Sequence, residues 1–186
     1  MKIVKYIFCL AVLPVLVVMG SWSPVEEEVK INWITWEEAV ELTANEANPK
    51  KVFVDVYTDW CGWCKVMDKK TFQHPEVAKY MTENFYMVKF NAEQKDSIVY
   101  KGVTFKYVPS GKRGYHELAA ALLQGKLSYP STVFLDENMS ILTVVPGFNK
   151  PPDFYPIAQY FGENEFKNKG WEEYRKSYKL PFEVSE

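Results

Sequence analysis

The sequence predicts an α/β domain with a central mixed β-sheet flanked by helices, and three observations predict it. Val52–Tyr57, Phe85–Asn91 and Thr132–Leu135 are short runs rich in β-branched and aromatic residues, the composition of buried strands. Segments of helical period lie around and between them. Ile141–Val145 follows the third run after only the turn Asp136-Glu137-Asn138 and so must pair antiparallel, whereas helices separate the first two runs.

The chain opens with Lys2 and Lys5, then the apolar stretch Tyr6–Met19 broken only by Pro14, then Gly20 and Ser21. This is the layout of a secretory signal peptide, with Val18 and Gly20 at the −3 and −1 positions of a cleavage site near Gly20. The stretch is shorter than the roughly 20 residues that span a bilayer. Cys9 lies inside it and is lost on cleavage, which leaves Cys61 and Cys64. Residues 21–34, acidic through Lys30, read as a flexible leader.

Thr35-Trp36-Glu37-Glu38 has the Thr-x-x-Glu spacing of a capping box, and helical periodicity continues to residue 47, where Asn48-Pro49 stops it. A helix starts near Cys61 and continues through Lys65–Lys70. His74-Pro75-Glu76 restarts a helix that runs to Thr82, with Pro at a first-turn position. Ser97–Tyr100 and Val103–Val108 flank Lys101-Gly102 as a hairpin, and Ser110–Gly114 is a loop in which Lys112 and Arg113 are solvated. Tyr115–Leu123 is an Ala/Leu-rich helix ended by Gly125. Asp153–Phe161 and Trp171–Tyr178 are the last helices.

Composition narrows the function. The 186 residues are 47% hydrophobic, 25% charged and 16% aromatic, which excludes a disordered or low-complexity chain. The formal charge of −2 becomes −4 once Lys2 and Lys5 are removed with the signal peptide, so binding to nucleic acid is not expected. Three cysteines are too few for a disulfide-stapled miniature fold.

The informative segment is Trp60-Cys61-Gly62-Trp63-Cys64-Lys65. Two cysteines two residues apart, just after a buried strand and opening a helix, form a redox motif with a mechanism. The first sulfur sits where the helix N-terminus favours thiolate, and the second can close a disulfide with it after a substrate has been attacked. The alternatives are half of a zinc site or an inert pair. Structural zinc needs four ligands, and only His74 and His116 remain, 42 positions apart. Haem attachment needs His after the second cysteine, where Lys65 stands. No metal or cofactor is expected.

Here the sequence resembles the thioredoxin superfamily. Val52-Phe53-Val54-Asp55-Val56-Tyr57-Thr58-Asp59-Trp60-Cys61 is similar to the family's strand and its approach to the active site, Lys89 falls where the family keeps a lysine near a buried aspartate, Tyr129-Pro130-Ser131-Thr132 resembles its cis-proline segment, and Gly147 matches the glycine after the last hairpin. Met67–Ala78 resembles the branch holding the C-terminal domain of DsbD-type thiol:disulfide interchange proteins and their small secreted relatives. The resemblance implies a thioredoxin fold over residues 35–163, with an inserted hairpin and helix at 94–128 before the cis-proline, and a C-terminal helical extension at 164–186. It implies that Cys61 attacks and Cys64 resolves, with Cys61 the exposed thiol. Asp55 then serves as a base of raised pKa linked to Lys89, and cis-Pro130 presents the Tyr129 backbone to a substrate chain. Trp60 and Trp63 flank the motif as substrate contacts. Gly62-Trp63 departs from the Gly-Pro of thioredoxin and lacks the histidine of strongly oxidising relatives.

The implied function is a monomeric, secreted or periplasmic thiol:disulfide oxidoreductase acting on protein disulfides, a reductase supplied with electrons by a membrane thiol relay. An oxidase or isomerase is the same chemistry run in another direction, set by which redox form is stabilised. A non-catalytic peptide-binding module with structural cysteines is the reading from another class, and a Cys61 titrating near the free-thiol value of about 8.5 would favour it.

Overall fold

The computed structural model describes residues 29–183, so the signal-peptide reading and most of the leader lie outside the described residues. The elements in chain order are α1 (Trp36–Asn45), β1 (Lys51–Tyr57), α2 (Gly62–Met67), a π-helical turn (Asp68–Phe72), α3 (Pro75–Asn84), β2 (Phe85–Asn91), β3 (Ile98–Tyr100), β4 (Val103–Phe105), β5 (Tyr107–Ser110), β6 (Arg113–His116), α4 (Glu117–Leu122), β7 (Ser131–Leu135), β8 (Ile141–Pro146), α5 (Pro151–Gly162), a short 3-10 turn (Glu165–Lys167) and α6 (Trp171–Ser177).

The main sheet runs β2-β1-β7-β8, with β1 parallel to β2 and β7 antiparallel to both β1 and β8. Strand alternation divides its side chains between two cores. Val52, Val54, Val56, Val88 and Phe90 face α1, α4 and β3. Phe53, Phe134, Phe85 and Met87 face α2, α3 and α5, where Phe53 packs edge-on against Phe72, Phe134 and Phe154 at centroid distances of 5.1–5.6 Å. Because β1 is covered on both faces, its apolar run is nearly continuous rather than alternating. Asp55 shares the parity of Phe53, and its carboxyl therefore points under α2. The expected capping box is present, with Thr35 Oγ1 accepting from the Glu38 N–H at 3.2 Å and the Glu38 carboxylate accepting from the Thr35 N–H at 2.7 Å.

Three expectations are corrected. The end of the leader is not free: the Ile34 N–H donates to the Met87 carbonyl at 2.9 Å, and Trp33 packs on Phe72 and Phe53 with centroids 5.5 and 6.5 Å apart. Ile31, Trp33 and Ile34 supply enough apolar surface to dock this segment on the sheet edge, which acidic composition upstream conceals. The segment 103–108 is not one strand, and 110–114 is not an open loop. The chain breaks at Lys106, whose N–H donates to the Glu117 carboxylate at 2.7 Å, and Tyr107–His116 folds into a second hairpin. Its two-residue turn begins with Gly111 at φ +57°, a region glycine adopts freely. Consequently Tyr115 and His116 are strand residues, and α4 begins only at Glu117.

The segment 94–128 is part of the domain core rather than an appendage, since Ile98, Leu118, Ala119, Leu122 and Leu123 are all buried in the first core. Residues beyond 163 fold back likewise: Tyr160 contacts Trp171 and Tyr174 at 5.3 and 5.0 Å, and Phe182 reaches His74 and Tyr155 at 4.6 and 5.2 Å. Among the described residues no helix is long and apolar enough to cross a membrane.

Candidate active site

The site lies where β1 ends and α2 begins. Cys61 is the N-cap of α2, and its Sγ accepts from the Cys64 N–H at 3.1 Å. The two cysteines form a disulfide with an S–S distance of 2.01 Å and Cα atoms 5.3 Å apart. The expected contrast in exposure is absent, because Cys61 is 4% and Cys64 5% accessible. Surroundings distinguish them instead. Cys61 takes the helix N-terminal N–H, an arrangement that stabilises negative charge on sulfur. Cys64 lines a cavity of about 270 Å³ with Asp55, Tyr57, Thr58, Asp68 and Lys89.

The parallel register sets Asp55 opposite Lys89, and strand parity turns both side chains to the α2 face. Asp55 is 2% accessible. Burial pushes its carboxyl up to about 7, against an opposing pull from the Lys89 ammonium and with reinforcement from the Asp68 carboxylate. Lys89 Nζ is 2.8 Å from Asp68 Oδ1 and 3.7 Å from Asp55 Oδ2, so its close ion pair is with Asp68. Lys89 also lies over the ring of Trp33, 4.8 Å from its centroid.

On the other side of the disulfide, Trp60 and Trp63 are the exposed aromatics flanking the motif. Trp60 sits edge-on to Tyr129 at 6.0 Å, and Trp63 stacks at a tilt on Phe148 at 5.3 Å. The Tyr129–Pro130 peptide bond is cis, and the Pro130 carbonyl accepts from the Gly147 N–H at 2.8 Å. The structure thus gathers Asp55, Lys89 and Cys64 around one cavity and Trp60 beside Tyr129.

Three residues missed in the sequence belong to this neighbourhood. Asp68 stands four positions after Cys64, one helical turn along the same face, and that spacing is a readable signal. Glu93 accepts from Trp60 Nε1 at 3.1 Å. The Arg113 guanidinium lies over the Trp60 ring, 4.0 Å from its centroid; Arg113 is exposed as expected, but it opens a strand rather than lying in a loop. Neither Glu93 nor Arg113 carries a local signal, since the hairpin that delivers Arg113 forms only in the fold.

The histidines lie in other elements. His74 opens α3, and burial lowers its pKa. His116 caps α4, its Nδ1 accepting from the Leu118 N–H at 3.2 Å and its Nε2 facing the Asp96 carbonyl at 3.0 Å. Among the described residues no three His, Cys, Asp or Glu side chains converge as metal ligands.

Comparisons with known proteins agree with this geometry. An uncharacterized protein of Caenorhabditis elegans, B0495.5, is 28% identical over 66% of this chain and 14% of its own length. The thiol:disulfide interchange protein DsbD of Citrobacter koseri is 31% identical over 41% of this chain and 15% of its own length. The aligned regions therefore span only a small part of these relatives. A solved thioredoxin-fold protein from Helicobacter pylori superposes with a TM-score of 0.53 at 17% identity, covering 81% of this chain and 87% of that one, and this shows the fold. The fold and the disulfide-bonded pair support thiol:disulfide exchange as the site's chemistry. The family model Thioredox_DsbH, described as "Protein of unknown function, DUF255", matches residues 24–155, well over half of the sequence, and the chain belongs to that family within the thioredoxin-like superfamily.

Proposed function

We propose that the protein is an exported thiol:disulfide oxidoreductase that reduces protein disulfides. The observation that carries this reading is the Cys61–Cys64 pair at the start of α2, backed by the cavity that joins Cys64 to Asp55. In the reduced protein the Cys61 thiolate attacks one sulfur of the substrate disulfide. A Cys61–substrate S–S bond forms, the substrate S–S bond breaks, and the departing substrate thiolate takes a proton from solvent. Cys64 then gives its proton to the Asp55 carboxylate and attacks Cys61 Sγ. The Cys61–Cys64 disulfide closes, the second substrate sulfur leaves as thiolate and takes a proton from solvent, and Asp55 returns its proton to solvent. Two electrons pass from the dithiol to the substrate, and an external dithiol, a membrane thiol relay in this proposal, restores them.

Export rests on the signal-peptide layout of residues 1–20. The tryptophans and the Tyr129-Pro130 segment bordering the pair are the proposed contacts for a monomer's polypeptide substrates. Insulin-disulfide reduction driven by dithiothreitol tests the activity: the wild-type chain accelerates precipitation, and Cys61→Ser abolishes the acceleration. Equal rates with and without the wild-type chain would refute the proposal.

The Lys89 geometry adds an expectation. Asp68→Asn removes a like charge from beside Asp55 and frees Lys89 to close on it. The Asp55 carboxyl should titrate lower, by about one unit. The check is its side-chain carbon chemical shift followed against pH in wild type and variant. An unmoved midpoint would show that Asp68 does not hold Lys89 away from Asp55.

A further inference from the structure

We propose that the β5–β6 hairpin is the specificity element of this site, and that Arg113 selects polypeptides carrying a carboxylate beside the reacting cystine. The inference rests on the oxidoreductase reading and adds a substrate class to it. The hairpin lies far from the cysteines in sequence, yet its second strand begins with a guanidinium that lies over the ring of Trp60, the residue next to Cys61. Beside the hairpin lies an open groove of about 390 Å³ lined by Glu93, Arg113, Tyr115, Leu127, Tyr129 and Trp60, the last adjacent in sequence to Cys61. Tyr129 is the residue along which a substrate chain is proposed to lie.

The guanidinium's placement suits an anion. A guanidinium lying over an indole is held by its attraction to the ring and still carries N–H donors in a fork that matches a carboxylate. Among the described residues Arg113 forms no ion pair. The groove's own acid, Glu93, is engaged at the indole edge by Trp60 Nε1 while Arg113 covers the indole face.

The hairpin is also built to hold this position. Four residue pairs from Tyr107↔His116 to Ser110↔Arg113 zip it. Its base is tied down by the His116 N–H donating to the Ala92 carbonyl at 2.6 Å and the Glu117 N–H donating to the Lys106 carbonyl at 2.9 Å. Beside Arg113, a Cβ on Gly114 would collide with the Tyr107 hydroxyl and the Val108 carbonyl oxygen, so glycine permits the close crossing of the two strands.

The test uses three disulfide-bonded peptides identical except for the residue next to the cystine, which is Asp, Asn or Lys. Reduction is driven by dithiothreitol, and the readout is the ratio of kcat/KM values within each protein, so that any general loss of activity cancels. In wild type the Asp peptide should be favoured over the Lys peptide about fivefold at low salt, the scale of an exposed ion pair, and less at high salt. Arg113→Gln should bring the ratio close to one, Arg113→Glu should invert it, and Arg113→Lys should retain its direction. Reduction of all three peptides at one rate by wild type, or an unchanged ratio in Arg113→Gln, overturns the inference and leaves the oxidoreductase reading standing. Reduction of none of them overturns both.

Discussion

Cys64→Ser is expected to accumulate covalent mixed disulfides through Cys61, while Cys61→Ser accumulates about tenfold fewer, since a sulfur at a helix N-terminus is the one that supplies thiolate. Exposure cannot carry this prediction, because both sulfurs are almost equally buried. Electrostatic position carries it: Cys61 Sγ accepts the Cys64 N–H at 3.1 Å, whereas Cys64 lines a cavity with the carboxyls of Asp55, Asp59 and Asp68. Non-reducing gels of each variant incubated with a disulfide-rich protein, followed by mass spectrometry of the adducts, provide the measurement. Equal trapping by the two variants would reverse or dissolve the assignment of attacker and resolver.

Asp55→Asn is expected to stabilise the protein above neutral pH and to slow it as an enzyme. The Asp55 carboxyl titrates at about 7 in the fold, above its ordinary value of 3.8. Its neutral form therefore contributes stability in full below about pH 4, and that contribution is lost as pH rises through 7. At pH 8 the buried anion costs on the order of 4 kcal/mol relative to an acid with an unshifted pKa. An amide removes that cost, offset by about 1–3 kcal/mol for any amide N–H left without a partner. The net expectation is a gain of about 1–3 kcal/mol at pH 8, with the stability loss between pH 4 and 7 flattened. Without the base, closure of the Cys61–Cys64 disulfide on a mixed disulfide should fall about a hundredfold. Denaturant unfolding across this pH range, beside single-turnover release of a thiol leaving group, reads both effects. A variant that is less stable and equally fast would make Asp55 a packing residue.

What the sequence discloses is what is encoded locally. Phe85–Asn91 has matching bounds in sequence and structure because its composition alone marks a buried strand. Asp55 reads as buried because Val54 and Val56 beside it sit in a continuous apolar run. The Thr35–Glu38 cap is legible for the same reason, as both partners lie within one turn. Features that depend on distant partners stay hidden. Trp33 looks like leader until Phe72 and Lys89 are placed beside it. The β5–β6 pairing is masked by Pro109, which argues against a strand but is tolerated opposite Gly114 in a two-stranded ribbon. The π-helical turn at Asp68–Phe72 has no signature in the residues. It is fixed by tertiary contacts, with Thr71 Oγ1 donating to the Asn149 carbonyl at 2.6 Å and Phe72 filling the core. The likeness in exposure of the two cysteines also escapes the sequence, because neighbouring elements rather than position in the motif determine how each sulfur is covered.

The central claim is that Cys61 and Cys64 cycle between dithiol and disulfide to deliver electrons to proteins. The reduction potential of this couple, measured at pH 7 in dithiothreitol or glutathione buffers with the chain lacking residues 1–20, tests it most directly. The account predicts a reversible two-electron couple between about −220 and −280 mV, the range of protein-disulfide reductants. A value near about −120 mV would make the protein an oxidant, and one below about −300 mV would make the disulfide a structural bond; either would contradict the account.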